Sequence, residues 1–206
     1  MDGKNYISER SLNMSQTVSV KDLILGYSSR LQGVLASSDW SSVSLLAQDM
    51  LRCWQEKRQV FFCGNGGSAG NAVHLANDFL YGIAKKTGGG LKVQALSANS
   101  AVMTCLANDI GYESIFSEQL AVQAQAGDLL IALSGSGNSP NIIHAIEQAK
   151  AMSVKSYAIL GFTGGKCKEL VDVPIHFPVH DMQIAEDMQL IVGHMMMQWL
   201  YSNRPQ

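Results

Sequence analysis

A glycine-rich turn between an apolar segment and a helical one carries the residues best suited to chemistry. The segment 61–68 reads FFCGNGGS, and His74 and Asp78 follow Ser68 on the predicted helix. Backbone amides cradle an anion only where no Cβ blocks its approach, and glycine also permits positive φ. Ser68 falls where a helix N-cap belongs. The segment therefore predicts an anion site with an imidazole and a carboxylate beside it.

A second loop repeats this pattern further along the chain. Asp128 to Leu133 (DLLIAL) predicts a buried parallel strand, the segment 134–139 (SGSGNS) follows it, and Pro140 suits the first turn of the next helix. Hydroxyls and amides both donate to phosphate oxygens, so this loop favours a phosphomonoester. Two such loops at the carboxyl ends of two strands predict one shared ligand crevice. The hydroxyls belong to Ser134, Ser136 and Ser139.

Other uses of the two loops fit the residues less well. A P-loop would need Gly-Lys-Ser/Thr, and neither loop has the lysine. Gly64, Gly66 and Ala69 fit the dinucleotide fingerprint only loosely, and the acidic residue expected after the next strand is missing from segment 97–100, SANS. No nucleotide cofactor is therefore expected. Glycine and serine that serve only to turn the chain remain an alternative, more plausible for one loop than for two.

The last predicted helix combines an apolar surface with polar groups. At about 100° per residue, Asp187 and His194 lie roughly 20° apart around it, and Glu186 and His194 roughly 80° apart. Either pair could converge on one ligand. The apolar residues are too many for one face, so the helix is expected to be buried between subunits or against the N-terminal helices. They are Ile184, Met188, Ile191, Val192, Met195, Met196, Trp199 and Leu200.

The elements that position these residues alternate along the chain, which predicts one α/β domain over 18–206 after a disordered leader over 1–17. The predicted strands are Gln59–Cys63, Leu91–Leu96, Asp128–Leu133, Ser156–Leu160 and Val173–His176. The predicted helices are Val18–Ala36, Trp40–Lys57, Ser68–Ile83, Ala101–Asn108, Ser114–Gln125, Ser139–Met152, Lys166–Val171 and Met182–Tyr201.

Composition narrows the class of protein. The chain has 206 residues, 47% of them hydrophobic, which suffices for a single large core. A formal charge of −2 gives no electrostatic footprint for nucleic acid. No apolar run approaches the roughly 18 residues that span a bilayer, and segment 1–13 lacks the apolar core of a signal peptide. We therefore expect a cytoplasmic protein with neither nucleic acid nor membrane as partner.

The cysteines support the same compartment. They are Cys53, Cys63, Cys105 and Cys167, with no CxxC pair, and three of them lie in apolar surroundings. This distribution predicts reduced core thiols and not a zinc knuckle.

Five motifs, in order, resemble one known family. They are GNGGSAGNAVHLANDF, ANDIGYESIFSEQL, LSGSGNSPNII, GFTGGK and IAEDMQLIVGH, within a similarity that spans Leu23 to Leu200. The chain is thus similar to the sugar isomerase (SIS) domain and, within it, to phosphoheptose isomerases. The resemblance implies a three-layer, doubly wound parallel sheet of flavodoxin-like type with an N-terminal helical pair. It also implies a homotetramer with active sites at subunit interfaces and a divalent metal, usually zinc.

The resemblance further implies a reaction and a set of binding residues. The family converts sedoheptulose 7-phosphate to D-glycero-D-manno-heptose 7-phosphate for bacterial lipopolysaccharide or capsule heptose. Asn65 and Asp109 would contact the sugar hydroxyls, and the backbone of Gly64 to Gly67 would bind the phosphate. The serines implied at the phosphate are Ser68, Ser134, Ser136 and Ser139.

The implied metal ligands depart from the family's pattern in two places. They fall on His74, Asp78, Glu186 and His194. Aspartate replaces a glutamate at Asp78, and glutamate replaces a glutamine at Glu186, with Asp187 as an alternative ligand. Two imidazoles and two carboxylates still suit zinc or a similar ion.

Two further departures concern the substrate. An arginine that the family places on the substrate phosphate falls on Gly82, and an aspartate before the last helix falls on Gln183. Both changes bear on which sugar is used.

Catalysis is implied for Asp78 and His194, as the acid/base pair of an aldose–ketose isomerisation. A helix-surface pair at His74 and Asp78, or a core histidine at His194, are the alternatives without chemistry. Non-catalytic SIS proteins, which serve as tetrameric assembly factors for the replication initiator or as sugar-phosphate sensors, are the competing class. Retention of both His74 and His194 favours the enzyme, whereas the missing arginine at Gly82 favours the alternative. The remaining histidines are expected to be structural: His144, His176 and His180.

Overall fold

The structure is a computed structural model that describes residues 18–85 and 88–205. It divides into two units, 1–37 and 38–206. The predicted disordered leader over 1–17 lies outside the described residues. The described part of the first unit is helix α1 (Val20–Ser37), at whose start the amide of Asp22 donates to Ser19 Oγ at 3.1 Å.

The second unit is a five-stranded parallel sheet with helices on both faces, as predicted. Its strands are β1 (Gln59–Gly64), β2 (Lys92–Ala95), β3 (Leu129–Ser134), β4 (Lys155–Leu160) and β5 (Val173–His176). Its helices are α2 (Ser41–Gln55), α3 (Gly67–Leu80), α4 (Ser100–Asp109), α5 (Ser117–Gln123), α6 (Pro140–Ala151), α7 (Gly165–Leu170) and α8 (Met182–Ser202). Short 3₁₀ turns follow α3 at Gly82–Ala84 and precede α5 at Tyr112–Ser114.

The strands are continuous apolar runs because helices cover both faces of the sheet. Phe61, Leu130 and Ala158 belong to a buried cluster with α5, α6 and α7. Side chains alternate between faces along a strand, so their neighbours point the other way. On that second face Phe62 stacks on Phe79 of α3 at 5.9 Å, and the Tyr157 hydroxyl donates to Asp49 of α2 at 2.6 Å. Helices α2 and α3 therefore form the opposite layer, and α8 packs against both of them.

Most element boundaries differ from the sequence predictions by one or two residues, and the larger differences concern α3 and α5. Helix α3 begins at Gly67 with Gly66 at its N-cap, so the prediction that Ser68 caps it is wrong. The physical reason is that Ser68 Oγ is engaged by Gln189 of α8 at 3.0 Å instead of by the amides of its own turn. Helix α3 also stops at Leu80, and the predicted helix 114–125 is split into a 3₁₀ turn and α5.

The strand order is β2-β1-β3-β4-β5, so the chain reverses its direction across the sheet between β1 and β3. Register pairs Gly64 with Leu133 at the carboxyl ends of these two neighbours. We call the segment 64–68 after β1 the first loop and the segment 134–139 after β3 the second loop. Both therefore open into the crevice where doubly wound sheets bind ligands. No described helix combines the length and the apolarity that crossing a membrane requires.

Candidate functional site

The first loop needs its glycines for close approach and for its backbone conformation. A Cβ on Gly64 would come within 2.9 Å of Ser68 Cβ and would collide with the Ser68 carbonyl. Gly66 has φ 55° and ψ −121°, and its carbonyl accepts from the amides of Ala69 and Gly70 at 3.1 Å each. The chain thereby turns directly from β1 into α3, whose N-terminal amides face the crevice.

The second loop holds its serines by internal hydrogen bonds. Ser134 Oγ accepts from the Gly137 amide at 3.1 Å, and Ser136 Oγ accepts from the Asn138 amide at 3.3 Å. Gly137 has φ 66°, and a Cβ there would overlap the Gly164 carbonyl. Ser139 is the N-cap of α6, with its carbonyl accepting from two amides of the first turn at 3.1 Å each.

The segment after β4 packs against the second loop and fixes its shape. The Cys167 amide donates to the Gly137 carbonyl at 2.9 Å, and the Lys166 amide donates to Asn138 Oδ1 at 3.0 Å. The segment that begins with the motif GFTGGK therefore fixes the backbone of the second loop by hydrogen bonds.

Asn65 connects the first loop through its side chain to α6, the helix that follows the second loop. It forms a reciprocal amide pair with Asn141 of α6, with both N···O distances 2.8 Å, and its Oδ1 also accepts from the Tyr112 hydroxyl at 3.0 Å. Sequence reasoning missed Asn141, which is buried, and Tyr112. The sequence did contain a signal for Asn141, because this residue lies two positions after Ser139, at the start of the predicted helix. The predicted contact of Asn65 with sugar hydroxyls stays a prediction.

Asp109 lies at the exposed end of α4. Its carboxylate accepts from Asn108 Nδ2 at 2.8 Å and from Cys105 Sγ at 3.4 Å. These two hydrogen bonds, that from Asn108 being the stronger influence, lower the pKa of Asp109 below its ordinary value. Its predicted contact with the sugar also stays a prediction.

His74, Asp78 and His194 converge into one cluster at the interface of α3 and α8. The two histidine Nε2 atoms are 3.0 Å apart, and Asp78 Oδ2 lies 3.4 Å from His74 Nε2 and 3.7 Å from His194 Nε2. His74 and Asp78 are one turn apart on α3, and His194 comes from 120 residues further along. The histidine side chains are 48% and 46% exposed, so a ligand has access.

The cluster suits a divalent metal by its chemistry and its dimensions. Tetrahedral zinc with bonds of about 2.05 Å requires neighbouring ligand atoms to be about 3.3–3.4 Å apart. The three observed separations, 3.0, 3.4 and 3.7 Å, bracket this value. Three protein ligands with open access are typical of catalytic zinc sites, which keep one position for water or substrate. The three residues therefore fit a metal centre.

Glu186 lies apart from this cluster. Its carboxylate packs against Gly67 at the first position of α3, where a Cβ would overlap both carboxylate oxygens. A carboxylate at a helix N-terminus is favoured by the helix dipole. In this arrangement the structure does not bring Glu186 together with the histidines, and the alternative ligand Asp187 is also outside the cluster of described residues. Their roles as ligands stay predictions.

Gly82 and Gln183, the two positions at which the chain departs from the family's substrate-binding residues, also have defined surroundings. Gly82 lies beside the cluster, since a Cβ there would be 3.7 Å from Asp78 Oδ1 and 2.8 Å from Met197 Cε. Gln183 is exposed in the first turn of α8, which Asp181 caps by accepting from the Ile184 amide at 3.3 Å.

His176, His180 and three of the four cysteines have packing roles. His176 Nε2 lies 3.0 Å from the Phe162 carbonyl, and the His180 ring meets the Phe162 ring edge-on at 5.6 Å. The four cysteines are free, and all but Cys105 are buried, as predicted. Burial raises the pKa of Cys53 and of Cys167 to about 11.

Comparison with known proteins places this geometry in a family. The model of the SIS domain matches residues 25–161, about two thirds of the chain. The chain belongs to the SIS-domain family. Among SIS-domain proteins, it is 35% identical over 177 residues to a phosphoheptose isomerase of Akkermansia muciniphila, covering 85% of this chain and 92% of that protein. It is 41% identical over 138 residues to a phosphoheptose isomerase of Rhodospirillum rubrum, covering 67% of this chain and 73% of that one.

Solved SIS-domain structures agree in fold. The phosphoheptose isomerase GmhA of Neisseria gonorrhoeae superposes with a TM-score of 0.81 at 26% identity, over 89% of this chain and all of that one. The phosphoheptose isomerase of Francisella tularensis gives a TM-score of 0.84 at 24% identity and, at that identity, supports the fold alone. The resemblance drawn from the five sequence motifs is thereby confirmed, and the chain is an isomerase of the phosphoheptose isomerase type.

Proposed function

We propose that this protein isomerises sedoheptulose 7-phosphate to D-glycero-D-manno-heptose 7-phosphate in bacterial heptose biosynthesis. The observation that carries the proposal is the cluster of His74, Asp78 and His194, in which His74 and Asp78 lie on α3, the helix that begins at the first loop, and His194 lies on α8. A phosphate-binding loop and a proton-transferring cluster are the two parts that an isomerase of sugar phosphates needs.

The spacing of these parts suits a seven-carbon substrate. Ser68 and His74 are six residues apart on α3, which corresponds to about 9 Å along the helix axis. Six carbon–carbon bonds of about 1.5 Å in a zigzag span roughly 7.5 Å, to which the phosphate ester adds its own length. An open-chain heptose 7-phosphate therefore reaches from the loops to the cluster, whereas a triose phosphate does not.

The phosphate would be held by the N-terminal amides of α3 and by the loop hydroxyls. These hydroxyls are those of Ser68, Ser134, Ser136 and Ser139. Helix N-termini favour anions through their unpaired amides and dipole. Asn65, which is held against α6 by Asn141, and Asp109 are the proposed contacts to the sugar hydroxyls.

The reaction moves one proton between adjacent carbons. A base removes a C1 proton of the ketose while the C2 carbonyl oxygen gains a proton, which gives an enediol. The O1 hydroxyl then loses its proton and C2 gains one, which leaves the aldehyde at C1. We assign these transfers to Asp78 and His194, each of which has a second heteroatom, Asp78 Oδ1 and His194 Nδ1, besides the one that faces the cluster. A divalent metal, proposed to be zinc, would be held by His74, Asp78 and His194 and would supply Lewis-acid polarisation of the substrate oxygens.

We also propose a homotetramer with active sites at subunit interfaces, located in the cytoplasm. The apolar side chains exposed on α8 and α3 support the assembly: Met195, Trp199, Val73 and Leu80. Free cysteines, three of them buried, support a reducing compartment.

Solvent exchange tests the reaction directly. The zinc-loaded protein is incubated with sedoheptulose 7-phosphate in deuterated water, and loss of a C1 proton signal is followed by NMR. We expect exchange with the parent and none with Asp78→Asn or His194→Gln, which keep the shape but remove the titratable group. His144→Gln, on α6 and away from the cluster, is the matched control and should exchange like the parent. If the folded, metal-loaded parent shows no exchange, the proposed isomerase activity is wrong. The alternative of a non-catalytic SIS protein then remains.

A further inference from the structure

A buried glutamine connects α8 to the first loop. Gln189 is fully buried, and its Nε2 donates to Ser68 Oγ at 3.0 Å. Its Oε1 accepts from Asn71 Nδ2 at 2.9 Å. Buried polar side chains of this kind are costly unless both ends of the amide are hydrogen-bonded, and here both are.

The orientation of this amide is fixed by a main-chain group. The Glu186 carbonyl can only accept, and it takes a hydrogen bond from Asn71 Nδ2 at 3.1 Å. Asn71 Nδ2 uses its second hydrogen on Gln189 Oε1, so the nitrogen of Gln189 must face Ser68. The chain of donors thus runs from Asn71 through Gln189 to the serine, in one direction only.

The direction matters because it decides what the serine hydroxyl can do. Gln189 Nε2 has no acceptor capacity, so Ser68 Oγ accepts in this contact and its own proton is directed elsewhere. Ser134 and Ser136 are in the same state, since each Oγ accepts from a loop amide. Three hydroxyls whose protons are free for a ligand match a phosphate, whose oxygens accept charge-assisted hydrogen bonds.

Ser68 differs from the other two in the origin of its partner. The second loop positions Ser134 and Ser136 by its own amides, whereas Ser68 is positioned by a side chain of α8. We propose that Gln189 is a positioning residue of the phosphate site, which holds the Ser68 hydroxyl so that its proton is donated to the phosphate. This inference rests on the proposed function only in taking the two loops as the phosphate site.

Calorimetry with inorganic phosphate tests the inference without any turnover. Gln189→Met removes the donor at nearly constant volume, and we expect it to weaken phosphate binding about 3- to 10-fold. Combined with Ser68→Ala, it should add little to the effect of Ser68→Ala alone, because both changes remove the same hydrogen bond to the ligand. Gln119→Met is the matched control, since this buried glutamine donates to the carbonyls of Leu96 and Ile115 instead.

Two results would overturn the inference. One is parental phosphate affinity in Gln189→Met while Ser68→Ala binds more weakly. The other is an equal loss of affinity on adding Gln189→Met with and without the Ser68 hydroxyl, which would indicate a general effect on the fold. Should Gln189→Met not fold, Asn71→Ala removes the group that orients Gln189 and is expected to give the same non-additive pattern with Ser68→Ala.

The inference and the proposed function fail separately. If phosphate binding couples Gln189 to Ser68 but no ketose exchanges its C1 proton, the positioning role holds and the isomerase assignment fails. If a ketose exchanges its C1 proton but phosphate binding shows no coupling between Gln189 and Ser68, the isomerase assignment holds and the positioning role fails.

Discussion

Gly193 of α8 packs directly against the side chain of Leu75 of α3. A Cβ on Gly193 would overlap Leu75 Cδ2 and lie 2.8 Å from Cδ1, so the two helices approach as closely as glycine allows. The neighbours in sequence of these two residues are His194 and His74, whose Nε2 atoms are 3.0 Å apart. The close approach of the helices is therefore the cause of the histidine cluster.

Gly193→Ala is expected to separate α8 from α3 and to weaken the cluster. Overpacking of this kind costs about 1–3 kcal/mol of unfolding free energy. Because the histidine separation depends on the helix distance, zinc affinity should fall as well. Denaturant unfolding and a competitive zinc titration measure the two effects.

Gly70→Ala is the matched control for this prediction. Gly70 is also helical, on α3, but a Cβ there meets nothing within 4 Å. Alanine is favoured over glycine in a helix by up to about 1 kcal/mol, so this variant should be at least as stable as the parent. A Gly193→Ala protein with parental stability and zinc affinity would contradict the proposed role of the glycine.

Zinc binding should depend on His74, Asp78 and His194 together. We expect about one zinc per subunit in the parent and little in His74→Ala or His194→Ala, because a site with two remaining ligands lacks the three that catalytic zinc requires. Elemental analysis after dialysis against metal-free buffer gives the metal content. His144→Ala controls for non-specific binding to histidine, and unchanged metal content in both cluster variants would refute the site.

Glu186→Gln should strengthen phosphate binding. The Glu186 carboxylate packs against Gly67 at the N-terminus of α3, where it shares the positive end of the helix dipole with the proposed phosphate. Such a carboxylate contributes about 0.3–1 kcal/mol, so its neutralisation should raise phosphate affinity about 2- to 5-fold and slightly lower the stability of the free protein. Asp187→Asn is the control on the adjacent residue. Weaker phosphate binding by Glu186→Gln would indicate that the carboxylate supports the site instead of competing with it.

Asp49 is expected to make the free energy of unfolding depend on pH in the acidic range. Burial acts to raise its pKa, but hydrogen bonds from Lys155 and Tyr157, each 2.6 Å, and the lysine charge together lower the pKa below the ordinary value of 3.8. A carboxyl whose folded pKa is lowered stabilises the protein above its unfolded pKa of about 3.9 and loses that contribution as pH falls through the folded value. Unfolding free energy should therefore drop below about pH 4 in the parent.

Asp49→Asn should remove this part of the acid dependence. It also loses a charge-assisted hydrogen-bond pair, at a cost of about 1–3 kcal/mol near neutral pH. Urea unfolding at a series of pH values from neutral to strongly acidic compares the variants. Glu169→Gln, at an exposed carboxylate on α7, is the control. Parallel pH profiles for Asp49→Asn and the parent would exclude Asp49 as the source.

The sequence determined the layers of this protein and the identity of its loops. The apolar runs that become β1 and β3 can be buried only as central strands of a parallel sheet, and the glycine and serine segments after them can lie only at its carboxyl edge. The helical spacing of His74 and Asp78 likewise fixes their common face, since both lie on one uninterrupted helix.

Only the tertiary structure decided which distant side chains meet. Ser68 accepts a hydrogen bond from Gln189, and Glu186 lies at Gly67 instead of beside His194. Both contacts depend on how α8 is rotated and how closely it approaches α3. Around one helix, angles of 20° and 80° from His194 did not distinguish Asp187 from Glu186 as partners. Helix approach is set by small residues such as Gly193 packing into a neighbour, a property of two surfaces together that neither segment of sequence contains by itself.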